Sequence, residues 1–242
     1  MASMQSGLST VQLLIVQTGS THLHGDYPRW FERTLGFEMP LVKAHAGERL
    51  LPALERTRPR GIIVTGSPLS VTENAPWMLQ LGEELLQVGA RGTQVLGVCF
   101  GHQLLARAAG GRVVLNPRGR EIGTVRVQLT EAGRKDPLFS WAGEAELEVQ
   151  ATHMDAVDPL PGGATVLASN ENSAAQAYRL SETVAGVQFH PELWPAAMRD
   201  LILSRREKLQ AEGRDADVLA SQVREVRAAE ILRAFAAQAA LS

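Results

Sequence analysis

The sequence predicts an α/β protein, with a parallel sheet covered by helices on both sides and antiparallel strands added to it. Two patterns carry this expectation. In the first half, short apolar runs alternate with longer amphipathic stretches. Those runs lack the polar alternation of a half-exposed strand, so both of their faces must be covered. From Val113 onward, short strand-like runs are joined by turn-rich segments such as Asn116-Pro117 and Pro161-Gly162-Gly163, the pattern of antiparallel pairs.

In order, residues 11–16 read as a buried strand, 27–35 as a helix, 61–64 as a strand and 77–88 as a helix opened by Pro76. Residues 95–98 form the next buried strand, and a helix over 100–109 follows at once, stopped by Gly110-Gly111. Strands are expected at 125–129, 147–150, 165–168, 175–178 and 184–189. Beyond Pro195 two helices are expected, 196–212 and 216–240, with Gly213 between them. The second carries an apolar stripe of Val218, Val223, Val226, Leu232 and Phe235 among Arg and Glu. Packing on its own domain is the ordinary use of such a stripe, and a partner-binding or dimer helix is the other. No linker or repeat divides the first 194 residues, which gives a domain over 11–194 and a helical extension over 195–242.

Composition narrows the function classes. The 242 residues carry 24 Lys+Arg against 26 Asp+Glu, a net charge of −2, with 45% hydrophobic residues. That balance offers no electrostatic footprint for nucleic acid or an anionic membrane. No apolar run approaches the roughly 20 residues of a membrane-spanning helix. The first 25 residues lack any charged side chain, so the basic region of a secretory signal is missing. One cysteine cannot close an intrachain disulfide, which suits a reducing compartment, and a cytoplasmic location is expected.

That cysteine, Cys99, stands in Gly97-Val98-Cys99-Phe100-Gly101-His102-Gln103, where a strand ends and a helix begins. A reactive side chain on such a sharp turn projects into the open as a nucleophile elbow. The start of a helix presents unpaired N–H groups and the positive end of the helix dipole, which favour an anion there. The N–H of Phe100 is placed to receive an oxyanion. Alone, such a cysteine more often serves as a small buried hydrophobe.

A second cluster alters that balance. Gln188-Phe189-His190-Pro191-Glu192 closes the last predicted strand, and in an extended chain His190 and Glu192 share a face. A thiol nucleophile needs an imidazole in reach, and the imidazole needs a carboxylate to orient it. His22 and His24 fall in a turn-rich loop expected at the rim of a site, and His45 on the surface. No histidine pair has metal-ligand spacing, so neither a metal nor another cofactor is expected.

Together these motifs resemble the class I (triad) glutamine amidotransferases, closest in pattern to the amidotransferase domain of GMP synthase, over residues 11–192. The resemblance implies a three-layer αβα flavodoxin-like core with a mixed central sheet. It makes Cys99 the nucleophile that attacks the carboxamide of glutamine to give a γ-glutamyl thioester and ammonia, His190 the general base and acid, and Glu192 its partner. Residues 65–71, Thr-Gly-Ser-Pro-Leu-Ser-Val, are similar to the family's Gly-Gly-Pro-x-Ser loop, with Ser67 replacing the second glycine. The implied oxyanion hole is backbone, from Gly66, Ser67 and Phe100. Gln103 and the loop holding His153, Met154 and Asp155 match positions at the amino-acid end of the substrate. Arg120-Glu121-Ile122-Gly123 resembles an Arg-Glu-Phe-Gly segment more loosely.

Three functions compete. The first is a glutamine amidotransferase or glutaminase subunit passing ammonia to a separate synthase, since these residues hold neither a Ser-Gly-Gly-Val-Asp-Ser loop nor a Walker motif. The second is a γ-glutamyl hydrolase or peptidase, with the same acyl-enzyme and another leaving group. The third is a non-catalytic glutamine-binding or scaffold protein. L-glutamine or a γ-glutamyl compound is the ligand in each.

Overall fold

The computed structural model describes residues 12–241; the first residue of the predicted strand at 11–16 and the last of the extension fall outside them. Strand β1 (Leu13–Gln17) alternates Leu13 and Ile15 against Leu14 and Val16, and every one of these side chains is buried. The strand is apolar on both faces because helices cover both. Helix α1 (Tyr27–Leu35) starts on Asp26, whose side chain accepts from the Tyr27 N–H, and stops at the left-handed Gly36. Then come β2 (Leu41–Lys43), α2 (Leu50–Thr57), β3 (Gly61–Val64), α3 (Pro76–Ala90), β4 (Gln94–Val98) and α4 (Phe100–Ala108). Pro76 takes the first helical position of α3, where no intrahelical N–H is lost.

The second half adds β5 (Val113–Leu115), β6 (Glu121–Leu129), α5 (Glu131–Lys135), β7 (Glu146–His153), β8 (Asp155–Val157), β9 (Thr165–Ser169), β10 (Ala177–Arg179) and β11 (Val184–Val187). Nine of these strands form one sheet in the order β2-β1-β3-β4-β11-β10-β9-β6-β7, and β5 pairs with β8 apart from it. Pairing is parallel from β2 to β11 and antiparallel beyond. The mixed sheet with helices on either side is therefore the observed fold. β6 and β7 outrun the predicted 125–129 and 147–150, because their two-residue alternation continues across a single long antiparallel ladder from Glu121↔His153 to Gln128↔Glu146. In the other direction, β11 stops at Val187, short of the predicted 189.

The chain after Pro195 departs most from expectation. Four helices replace two: α6 (Pro195–Ser204), α7 (Arg206–Ala211), α8 (Ala216–Ser221) and α9 (Ala229–Leu241). The predicted 216–240 helix breaks over 222–228 because that segment has better partners outside a helix. The Arg224 N–H donates to Thr124 Oγ1 at 2.9 Å, the Arg224 carbonyl accepts from Gln150 Nε2 at 2.9 Å, and Val223 is buried. The predicted apolar stripe is split accordingly, with Val218 exposed and Leu232 and Phe235 in the core.

Two apolar layers sandwich the sheet. On one face Leu13, Ile15, Ile63 and Leu96 meet Phe31 and Leu35 of α1 and Ile231, Leu232 and Phe235 of α9. On the other, Leu14, Val16, Ile62 and Val64 meet α2, α3 and α4. A third cluster joins α6, α7 and α8 to Trp30 of α1 and Ile122 of β6. Among the described residues no helix is long and apolar enough to cross a membrane. Since β1, β3, β4 and β11 run parallel, their C-terminal ends open on one edge, where crevices form in such sheets.

Candidate active site

Cys99 leaves β4 at that edge. Its backbone sits at φ +50°, ψ −99°, a region that a side-chain-bearing residue rarely adopts and that costs on the order of 1–3 kcal/mol. The turn holds because both of its sides are tied: the Cys99 N–H donates to the Val187 carbonyl at 2.9 Å, and the Gln103 N–H donates to the Cys99 carbonyl at 3.0 Å. Glycines before and after leave room for it. A Cβ on Gly97 would come within 2.5 Å of the Gly101 backbone, so the first turn of α4 lies directly on β4.

His190 and Glu192 lie in a turn after β11 and not on the strand itself, which corrects the extended-chain expectation. The turn still brings the pair together: His190 Nδ1 and Glu192 Oε1 are 2.7 Å apart, with both side chains buried. The His190 N–H is fixed to the Gln150 carbonyl at 2.7 Å. Gly66 stands between the two motifs. A Cβ there would lie 2.9 Å from His190 Cε1 and 3.6 Å from Cys99 Cβ, so imidazole, sulfur and loop share one small volume. Among the described residues His190 Nε2 has no hydrogen-bond partner, and the ring stands beside the Cys99 side chain. Burial alone would lower the His190 pKa. The negative charges of Glu192 and Cys99, with the Glu192 hydrogen bond, outweigh it and push the value up to about 10, so the ring is an imidazolium at neutral pH.

The 65–71 loop is pinned from below. Thr18 Oγ1 donates to the Gly66 carbonyl at 3.1 Å. Ser67, the residue that replaces a glycine, donates Oγ to the Thr18 carbonyl at 2.9 Å and accepts from the Leu69 N–H at 3.1 Å. Ser70 Oγ donates to Asp155 Oδ2 at 2.5 Å, which joins this loop to the one opposite. Between the loops lies a cavity of about 330 Å³, reached by Ser67, Cys99, Phe100, Gln103, Met154 and Asp155.

Gln103 and His153 take part as braces. Gln103 Nε2 donates to the Asp155 carbonyl at 3.0 Å and to Gln188 Oε1 at 3.1 Å. His153 bonds the same carbonyl through Nδ1 at 3.0 Å and Glu121 Oε2 through Nε2 at 2.8 Å. Glu121 in turn accepts from Gln176 and Asn170. Burial pulls its pKa upward, but His153 and the two amides prevail and hold the carboxyl below its ordinary range. The loosely matched Arg120-Glu121 segment thus supplies the buried anchor of the Met154–Asp155 loop. His24 and His45 are spent elsewhere, on Asp200 at 2.8 Å and on Ser20 at 3.0 Å, and His22 is exposed. Neither His22 nor His24 lines the cavity, contrary to the expectation of a rim. Among the described residues no group of three or more His, Cys, Asp or Glu side chains is placed to hold a metal ion.

The Glutamine amidotransferase class-I family profile matches residues 32–207, which include all three of Cys99, His190 and Glu192. The chain belongs to this family. Its members act on glutamine amides, and the relatives span more than one use of that chemistry. A GMP synthase [glutamine-hydrolyzing] from Thermosipho africanus is 33% identical over 180 residues, covering 72% of this chain and 33% of that protein. Gamma-glutamyl peptidase 4 of Arabidopsis thaliana is 30% identical over 155 residues, 63% of this chain and 60% of that one. The chain thus matches from a third to under two thirds of the length of these relatives. A crystal structure of a glutamine amidotransferase from Thermotoga maritima superposes with a TM-score of 0.76 at 22% identity, covering 96% of this chain and 99% of that one, a likeness of fold.

The amidotransferase cavity is also lined by Arg120 and Thr152, which open the matched 120–123 and 152–157 segments, and by Arg205 and Lys208, which fall in no motif. Cys99 Sγ lies 4.0 Å from the Thr152 carbonyl, and Arg205 Nη1 donates to Thr152 Oγ1. Tyr27 is close enough to feel Cys99, Arg205 and Glu192: burial, then the charges of Cys99 and Glu192, raise its pKa against the opposing pull of Arg205. Tyr27, Arg205 and Lys208 follow no local pattern. Each arrives from an element distant in sequence, and only the fold makes them neighbours.

Proposed function

We propose that the chain hydrolyses the γ-amide of glutamine or of a γ-glutamyl compound by a Cys99–His190–Glu192 triad. The observation that carries this reading is a cysteine held at a strained elbow beside an imidazole whose other nitrogen bonds a buried carboxylate at 2.7 Å. The Cys99 sulfur adds to the amide carbon, and the backbone N–H groups of Ser67 and Phe100, next to Gly66, receive the oxyanion. As the C–N bond breaks, the His190 imidazolium gives its proton to the departing nitrogen. The neutral ring then takes a proton from water, which releases glutamate from the γ-glutamyl thioester. Gln103, His153, Met154 and Asp155 shape the end of the cavity that takes the substrate's amino-acid group. With glutamine the product is ammonia, destined for a separate synthase in an amidotransferase.

Mass spectrometry of protein mixed with glutamine and with γ-glutamyl peptides tests the reading. A γ-glutamyl adduct on Cys99 is the expected result, together with glutamine protection of Cys99 against a glutamine-like electrophile. An adduct elsewhere, or labelling that glutamine never slows, would refute it.

Glu192→Gln removes charge but keeps a group that can orient the ring. Activity should fall less than in His190→Ala. Because the Glu192 carboxylate helps raise the His190 pKa, its loss should also move the alkaline limb of kcat/KM against pH to lower pH. A limb that stays in place would show that the carboxylate does not hold the imidazolium.

A further inference from the structure

Behind the Met154–Asp155 loop, Asn170, Gln176, Glu121 and His153 form a polar network whose donors and acceptors are set by the backbone. Asn170 Oδ1 accepts from the N–H groups of Asn172 and Ser173 at 3.0 and 2.9 Å, so the amide nitrogen must point the other way. That nitrogen donates to Glu121 Oε1 at 2.7 Å and to the Arg126 carbonyl at 3.2 Å, which uses both of its protons. Gln176 Nε2 donates to Asn170 Oδ1 at 3.0 Å and to Glu121 Oε2 at 2.6 Å, and its protons are used as well. Each Glu121 oxygen therefore meets an amide donor, and a carboxyl group so surrounded stays ionised.

His153 completes the network from the end of β7, its side chain only 1% exposed. Its Nε2 lies 2.8 Å from Glu121 Oε2 and its Nδ1 lies 3.0 Å from the Asp155 carbonyl. A carbonyl oxygen only accepts, and so does an ionised carboxylate. Both ring nitrogens must then donate, which a neutral imidazole with its single N–H cannot do. The other titratable and charged groups nearby are occupied or neutral. Burial above all, with the His153 charge acting in the same direction, lowers the pKa of His102 on α4 to about 3, so that ring carries no charge. The Asp155 carboxylate accepts from Ser70. The Arg120 guanidinium is held by Glu212 and that of Arg205 by Thr152, while Lys208 is exposed. Cys99 Sγ faces the Thr152 carbonyl.

We propose that His153 is an imidazolium at neutral pH and a positioning residue, which, paired with Glu121, holds the Asp155 carbonyl and Gln103 in the arrangement that receives the substrate's amino-acid group. The same carbonyl takes Gln103 Nε2 at 3.0 Å, so ring, loop and amide are fixed as one unit. A neutral ring would turn a lone pair on one of its two acceptors. With the remaining N–H kept on Glu121, Nδ1 would repel the Asp155 carbonyl and the loop would lose a donor. This pair is separate from His190–Glu192 and moves no proton in the reaction. The effect on substrate rests on the hydrolytic reading above, whereas the charge on the ring does not.

The charge is measured first, without substrate. Long-range proton–nitrogen correlation of the imidazole rings in the full chain at neutral pH should show both His153 nitrogens protonated. One bare nitrogen would overturn the proposal. In Glu121→Gln the new amide can give an N–H to Nε2, so the ring should keep a proton on Nδ1 alone. A ring that kept both would show that the carboxylate does not hold the charge, which would overturn the pairing. Should that variant not fold, the spectrum of the unmodified protein decides. Turnover then tests the positioning. His153→Phe has no donor and should raise KM for glutamine or a γ-glutamyl peptide roughly tenfold with kcat little changed, the worth of one charge-assisted hydrogen bond. His153→Gln keeps one donor and should lie between. The alkaline limb of kcat against pH, which His190 sets, should stay in place in both. A fall in kcat without a rise in KM would put His153 in the chemical step and overturn the positioning role. Absence of turnover in the unmodified protein would defeat the hydrolase reading and the effect on KM with it, and the spectrum would still decide the charge.

Discussion

Cys99→Ala should abolish amide hydrolysis, a loss of about 10⁴-fold or more, and His190→Ala should come close to it. Nucleophile and imidazole form one unit, so the double variant should lose little beyond either single one. The measurement is release of ammonia or amine under saturating substrate, with the far-ultraviolet spectrum as a check on folding. Ordinary additivity of the two losses would mean that the groups act in separate steps. The elbow adds a second signature. Cys99 occupies a positive-φ conformation that alanine cannot adopt more easily, whereas glycine can. Cys99→Gly, equally inactive, should therefore unfold at a higher temperature than Cys99→Ala. The reverse order would show that the turn stores no strain.

Gly97→Ala should be the most damaging small substitution in the core of the site. The added Cβ would meet the Gly101 carbonyl carbon and oxygen at 2.5 Å and the His102 nitrogen at 2.7 Å. These are backbone atoms of the helix that carries Phe100 and Gln103, and they cannot rotate aside. Overpacking of this kind costs about 1–3 kcal/mol or more, which lowers Tm by several degrees in a domain of this size. Gly162→Ala is the matching control, because a Cβ there meets nothing within 4 Å. Thermal unfolding of both variants, with the rate of Cys99 alkylation, separates the cases. If Gly97→Ala matched Gly162→Ala in stability, α4 would not lie as tightly on β4 as described.

The difference between what was legible in the sequence and what was not follows the range of the interactions. The elbow around Cys99 and the His190–Glu192 contact are made within a few residues, so their chemistry could be read from short motifs. β1, β3 and β4 were legible as buried strands for the same reason, since Leu13 to Val16 carry apolar side chains on both faces. The loop substitution at Ser67 could be seen but not its effect, because its partner, the Thr18 carbonyl, lies 49 residues away. Glu121 reaches His153 across a ladder of 32 residues, and Arg205 reaches Thr152 across 53. The break at 222–228 was hidden as well. Its residues suit a helix, and only Thr124 and Gln150 on the sheet offer them something better.

Helix α9 has a consequence for the order in which this molecule can be made. Ile231, Leu232 and Phe235 close the layer over Leu13, Ile63 and Leu96, yet they leave the ribosome after every residue of the site. Until they emerge, that face of the parallel strands has only Phe31 and Leu35 of α1 over it from the helices named, and the layer beneath the Cys99 elbow is unfinished. A chain truncated before α9 is therefore expected to expose that apolar face and to loosen the support of the Cys99 elbow.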